Sequence, residues 1–214
     1  MIAVDTNGQN QIVVASGANE TLSPGEIASY AALFRRSKAV VVQLETPLPA
    51  VEAALRLGRN SGALTVLNPA PGLKLNDDLL RCCDWIVPNE IEAAQLSDMT
   101  VRSCADTATA SKKLRGRSGG ANVLITLGAD GAWLDSESFV GKVPGFKVQA
   151  IDTVGAGDTF IGAFVTRLIE GAEAREAARF GCAAAALAVT RGGAQAGIPL
   201  RAEVEAWLRT PGRS

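Results

Sequence analysis

The run AVVVQLE, residues 39–45, decides the architecture. Alanine and three successive β-branched valines make a strand, and the run does not alternate between apolar and polar, so neither of its faces meets water. Strands of this kind lie inside a parallel sheet with helices on both sides. The same pattern recurs further along the chain. PAVEAALRLGR (49–59) has a helical stripe, and ALTVLN (63–68) is a second buried run. NDDLLRCC then leads to a strand in DWIVPN (84–89), a helix in EIEAAQLS, another through ADTATASKKLRG, and a strand in NVLITLG (122–128). GAWLD (131–135) is expected to pair beside that last strand. Two more helices follow, one after residue 158 and one in the alanine-rich AREAARFGCAAAALAVT, before a terminal helix in LRAEVEAWLR. Upstream of all this, IAV and QIVVAS flank the turn-rich DTNGQN and read as a hairpin.

The fold expected is α/β, a three-layer α/β/α sandwich around a mostly parallel sheet. Glu45, Asn68 and Asn89 each close a strand on a polar residue, and Thr126 nearly closes another. In open α/β sheets ligands bind beyond the carboxyl ends of the strands, so these four residues mark one edge as the site.

Composition narrows the chemistry. The 214 residues contain no histidine, which removes His-ligated zinc, Ser-His-Asp and Cys-His catalysis, and histidine general bases together. Formal net charge is −1 and no basic run exceeds two residues, so neither nucleic acid nor a membrane surface is an expected partner. No apolar stretch approaches the roughly 18 to 20 residues of a membrane span, and MIAVDTNGQN lacks the features of a secretory signal. Cys82, Cys83, Cys104 and Cys182 show no zinc-type spacing, a usage that fits the reducing cytoplasm.

Against this background IDTVGAGDTFIGAFV (151–165) stands out. Phe160, Ile161, Phe164, Val165, Leu168 and Ile169 recur at helical spacing, and Gly155-Ala156-Gly157-Asp158 sits at the mouth of that helix. One reading is a capped helix, since aspartate caps well. The other is a site for phosphate, because free N–H groups and the positive end of the helix dipole suit an anion. Two glycines add nothing to a cap, and they do let a ligand approach the backbone closely. In a chain without histidine, Asp158 beside such a cradle is the natural general base. Neither G-x-x-x-x-G-K-[ST] nor G-x-G-x-x-G occurs.

DTVGAGDTFIGAF resembles the C-terminal signature of the ribokinase (PfkB) family of sugar kinases. GAN (17–19), QLETPL (43–48), NPAP (68–71), PNEIEA (88–93), TLGADGAWL (126–134), VPGFKVQAIDT (143–153) and VTRGGAQAGIP (189–199) resemble its ribose-phosphorylating members in the same order. The resemblance implies transfer of the ATP γ-phosphoryl group to the primary hydroxyl of D-ribose. Asp158 would take the hydroxyl proton, and the amides of Gly155, Ala156 and Gly157 would receive the phosphoryl group. Asn89 and Glu92 match an N-x-x-E motif that organises Mg²⁺ and phosphates. Thr126, Leu127, Gly128, Ala129, Asp130 and Gly131 would contact the nucleotide, with Cys182 near the adenine, and Glu45 would help hold the sugar. Asp152, with the carbonyls of Val154, Ala188, Arg191 and Gly193, would surround a monovalent cation, K⁺ in relatives.

Two departures follow from the same resemblance. Where relatives commonly offer a serine to the cation this chain has Gly197, and where some carry histidine near the adenine it has Cys182. Residues 1–16 would be the remnant of a β-lid hairpin and residues 17–214 the nucleotide-binding and phosphoryl-transfer domain. Family members carry, before the position of Met1, further sheet and lid strands, an Asn/Asp sugar contact and a GGKGAN-like motif. The expectation is therefore a kinase whose sugar half is mostly outside this chain. Two alternatives stay open: a non-catalytic nucleotide-binding fragment, and a relative acting on another sugar or a nucleoside. Relatives form homodimers through the lid, for which half a lid is a poor surface.

Overall fold

The computed structural model describes residues 2–4, 10–12 and 16–210. β1 (Ile2–Val4) and β2 (Asn10–Ile12) form a separate two-stranded antiparallel sheet, so the expected hairpin strands pair. The turn between them lies outside the described residues. The central sheet contains β3 (Ala39–Val42), β4 (Leu64–Leu67), β5 (Trp85–Ile86), β6 (Asn122–Thr126), β7 (Gly131–Asp135) and β8 (Val140–Pro144), side by side in that order. β3 to β6 run parallel, while β7 and β8 add antiparallel strands at one side.

Helices cover both faces of β4 to β6, as strands without polar alternation require; β3 stands at the edge, where its run is no more than half-buried and Val41 is 46% exposed, against the expectation that neither face meets water. α1 (Pro24–Ser29) and α2 (Ala31–Phe34) precede the sheet. α3 (Leu48–Asn60), α4 (Asp77–Leu80), α5 (Glu90–Ser97) and α6 (Cys104–Arg117) pack Val51, Leu55, Leu80, Leu96 and Leu114 against Leu67, Ile86, Val123 and Ile125 of the sheet. The opposite face carries Val66, Trp85, Leu124 and Leu134, covered by α7 (Ala156–Ile169) and α8 (Ala174–Ala188). Neighbouring residues such as Val66 and Leu67 belong to opposite cores because side chains alternate across a strand. Phe164, fully buried, meets Trp85 edge-on with ring centroids 4.9 Å apart. α8 approaches α7 closely through its small residues: a Cβ at Gly181 would lie 3.0 Å from the Phe160 ring. α9 (Arg201–Arg209) docks on α8 through Val204.

β3, β5 and β6 end two or three residues earlier than their runs suggest, β4 one residue earlier, and β7 where expected. Beyond β3 the Leu44 amide bonds to the Ala70 carbonyl instead of continuing the ladder, and beyond β5 the contacts thin to a Val87 amide on the Leu67 carbonyl and the Asn89–Thr126 bridge. Of the polar residues at the strand ends, Asn68 keeps a backbone bond to the Val42 carbonyl and Asn89 its bridge to Thr126. α1 and α2 bury no residue and so carry no stripe to read in the sequence. β8 was likewise not expected; it buries only Val143 and includes Gly141 and Pro144, a composition suited to a sheet edge. No helix among the described residues is long and apolar enough to cross a membrane.

Candidate active site

Four helices begin with a side-chain cap: Ser23 on α1, Asn76 on α4, Asn89 on α5 and Ser103 on α6. α7 does not. Its N-cap is Gly155 at φ +77°, a left-handed conformation glycine adopts without strain, and no side chain accepts from the first turn. The Ala156 amide makes a long 3.3 Å bond to the Thr153 carbonyl. The amides of Gly155, Gly157 and Asp158 have no partner among the described residues. Asp158 is exposed, and its carboxylate caps nothing: its one hydrogen bond comes from the Gln43 side chain, 3.1 Å from Oδ1. The capped-helix reading of this stretch is therefore not what the geometry supports. A cap would have spent the carboxylate and an amide on each other.

Beside this turn lies a cavity of about 530 Å³. Thr126, Gly128, Ala129 and Gly131 form one wall, Ala156, Gly157 and Phe160 another, and Cys182, Ala185 and Ala186 the floor. Burial pushes the Cys182 thiol up to about 12, so it is a neutral, apolar part of the lining. The remaining wall is the strip Gly145, Phe146, Lys147 and Val148, which sequence reasoning gave no role. The signal for it was the glycine pair: a Cβ at Gly131 would meet Gly145 N at 2.3 Å, and one at Gly145 would meet the Ala129 carbonyl at 2.3 Å. The lining is mostly glycine, alanine and apolar side chains, with Phe146 and Phe160 among them, as suits a flat heterocycle.

Of the other residues expected here, Leu127 packs into the core beneath α5 and α6, and Asp130 points to solvent, 3.6 Å from Lys142 Nζ. Neither lines the cavity. Asn89 stands next to Thr126 through the isolated bridge. Its side chain and that of Glu92 form a reciprocal capping box, with Glu92 Oε2 accepting from Asn89 N at 2.8 Å and Oε1 from Asn89 Nδ2 at 2.9 Å. Burial raises the Glu92 carboxyl above its usual range, partly offset by that backbone N–H. Glu92 is buried and both its oxygens accept from Asn89, so its contact with the site in this structure runs through Asn89. Glu45 is exposed at the same edge and makes no hydrogen bond or ion pair among the described residues.

The loop after α8 folds back onto the strand-end side of α7. Asp152 Oδ1 accepts from Val154 N at 3.0 Å and Oδ2 from Gly193 N at 2.8 Å, tying the two segments together. Around buried Gly197, the space a Cβ would take lies 2.8, 3.1 and 3.7 Å from the carbonyl oxygens of Gly193, Ala188 and Arg191. A carboxylate with converging carbonyls is the donor set of a hard cation, and glycine is what lets them close in. The Val154 and then the Gly193 amide hold Asp152 below the ordinary aspartate value of 3.8. A carboxylate with a depressed pKa contributes its tie above the unfolded value and loses it only as pH falls through the folded one. The Gly193 amide shift should thus titrate with a midpoint below 3.8. A midpoint at or above that value would show that the tie does not hold in solution.

No three His, Cys, Asp or Glu side chains converge into a metal cage among the described residues. Mg²⁺ commonly binds through one or two carboxylates, waters and substrate phosphates rather than such a cage. A second cleft, about 720 Å³ and more open, lies at the opposite end of the strands among Lys38, Arg59, Leu64 and Asp84. Asp84 is there committed to Thr65, whose N and Oγ1 donate to Oδ2 at 2.8 and 2.9 Å.

An open helix N-terminus, an unspent carboxylate and an apolar cavity at the strand ends suit the chemistry of an α/β phosphotransferase. Comparison with known proteins gives the same class. Residues 1–201 match the pfkB family of carbohydrate kinases. Ribokinase of Haemophilus influenzae is 44% identical over 207 residues, covering 97% of this chain and 67% of that protein. The solved ribokinase of Thermotoga maritima superposes with a TM-score of 0.86 at 35% identity, over 98% of this chain and 68% of its own. Arabidopsis thaliana ribokinase, solved with ribose and ATP, gives 0.87 at 28% identity, over 98% and 68%. The chain belongs to the pfkB family of carbohydrate kinases and has its α/β fold; it spans about two thirds of the length of these relatives.

Proposed function

We propose that the chain performs ATP-dependent phosphorylation of the primary hydroxyl of D-ribose, giving ribose 5-phosphate and ADP. The observation that carries this is the first turn of α7, where free amides and an uncapped carboxylate stand together beside the cavity. The relatives named ribokinase, one of them solved with both ribose and ATP, support the choice of substrates.

In this reading the adenine occupies the cavity between the Gly131–Gly145 wall and the Cys182 floor. Its phosphates run toward α7, where the amides of Gly155 and Gly157, with Ala156 between them, receive the γ-phosphoryl oxygens. The sugar lies above Glu45, and Asp158 removes the hydroxyl proton as the oxygen attacks phosphorus. ADP departs with the electron pair of the broken P–O bond. Asn89, with Glu92 behind it, would help hold Mg²⁺ on the phosphates, where the ion would supply charge neutralisation for the transferring group. Asp152 and the carbonyls of Val154, Ala188, Arg191 and Gly193 would hold a monovalent cation, K⁺ in kind. Held there it would fix the loop behind the anion site, with water in place of a side chain at Gly197. Phosphoryl transfer depends mainly on such positioning and electrostatics.

A second reading, nucleotide binding without catalysis, is favoured by one observation. Glu45 is the only sugar-side carboxylate besides Asp158 expected among the described residues, and it has no supporting partner. Purified protein supplied with ATP, Mg²⁺, K⁺ and ribose decides between the two. Ribose-dependent ADP release that falls when K⁺ is replaced by tetramethylammonium is expected. ATP binding with no ribose-dependent release would establish the second reading instead.

A further inference from the structure

Gln43, immediately beyond β3, has no part in the reading above. Its Nε2 donates to Asp158 Oδ1 at 3.1 Å and also reaches Asn68 Oδ1 at 3.5 Å. Asn68, immediately beyond β4, is only 8% exposed. Its Nδ2 donates to the Val87 carbonyl at 2.9 Å, and its backbone N–H to the Val42 carbonyl at 2.9 Å. With its amide nitrogen committed to a carbonyl, Asn68 must present its oxygen elsewhere, and that oxygen faces Gln43. The amide of Gln43 is oriented in turn, because both of its neighbours are acceptors. A short relay thus runs from the ends of three adjacent strands to the carboxylate on α7.

We infer that Gln43, held by Asn68, is a positioning residue for Asp158, fixing the rotamer in which the second carboxylate oxygen faces the acceptor hydroxyl. The inference rests on Asp158 acting as the base. Asp158 has no other hydrogen bond among the described residues, so without Gln43 its side chain is free to swing in solvent. The carboxylate can spare this contact: it offers about four lone-pair sites, and Gln43 takes one. Geometry near the reacting atoms is worth the cost of ordering a glutamine, since an ångström of misplacement can lower a rate 100-fold.

Two variants test this. Gln43→Met keeps length and loses the donor; Gln43→Glu keeps shape and sets an acceptor against the carboxylate. Turnover is expected to fall on the order of 10-fold in the first and further in the second, with KM for ATP unchanged. The Asp158 Hα–Hβ couplings, which need no turnover, should pass from single-rotamer to averaged values in both. A merely structural role for Gln43 would lower thermal stability and leave those couplings alone. Single-rotamer couplings in both variants overturn the inference. Asp158→Asn, assayed alongside, separates the two claims. Undiminished turnover in that variant removes the base assignment, whereas the couplings report on Gln43 either way.

Discussion

Asp158→Asn should leave a folded protein that binds ATP and phosphorylates ribose 10²–10⁴-fold more slowly, the range a general base contributes. The substitution is nearly isosteric and falls on an exposed side chain whose one hydrogen bond comes from Gln43. Asparagine can keep that bond through its carbonyl oxygen, so neither α7 nor the cavity has reason to change. What disappears is the capacity to take a proton. The residual rate would come from the open amides, each anion-hole donor being worth about 3 kcal/mol. Calorimetry with ATP and a coupled assay for ADP, run on one preparation, check both halves. Turnover near that of the parent would remove Asp158 from the chemistry, and loss of ATP binding would mean the substitution acts on the fold.

Gly131→Ala should be the most damaging single-methyl change in the nucleotide wall. Gly131 has φ +97° and ψ −121°, a region closed to side chains. A Cβ there would stand 2.2 Å from the Val143 carbonyl, 2.3 Å from Gly145 N and 2.6 Å from the Pro144 carbonyl carbon. All three are backbone atoms of β8 or its continuation, and β8 is paired to β7 in the register Gly131–Pro144. Relief requires pulling the two strands apart. Backbone strain of about 1–3 kcal/mol and overpacking of about 1–3 kcal/mol add to about 2–6 kcal/mol, and with all three contacts under 3.0 Å the middle of that range, roughly 3–5 kcal/mol, is expected. For a chain of this size that is a fall in Tm of roughly 6–20 °C. Thermal unfolding with and without ATP is the check: weaker stabilisation by ATP should accompany the lower Tm. A Tm within about 2 °C of the parent would mean the wall relaxes more cheaply than its contacts imply.

The parallel core was legible because burial on both faces leaves a plain mark at 64–67 and 122–126; 39–42 reads the same way and is a strand, yet it lies at the sheet edge with Val41 exposed, since a valine run encodes strand and not what covers it. α5 was equally plain, since Asn89 and Glu92 spell its capping box. α1, α2 and β8 were illegible for the opposite reason, because elements that bury almost nothing leave no periodicity. At the site, the composition pointed to Asp158 by removing histidine, and glycine spacing pointed to the α7 turn. Gln43 was hidden. It sits inside the very run that declares the fold, and its contact is with a residue 115 positions away. Likewise the Phe146–Val148 strip enters the cavity only because Gly131 and Gly145 let two backbones touch, a pairing no local pattern encodes.

The direction of the parallel strands also divides the chain between places that can change and places that cannot. The cavity and the open turn of α7 lie where β3 to β6 finish, near Gln43, Asn68, Asn89 and Thr126. The connections that begin those strands turn at the far end, and Gly119-Gly120 before β6, both at positive φ and free of crowding by other backbone, is one of them. Such a turn is a natural port for grafting: a fluorophore-bearing loop or an affinity peptide spliced there would travel with the rigid sheet and stay the full length of a strand away from substrate. The fold thus offers a handle and a working end on opposite rims of one sheet.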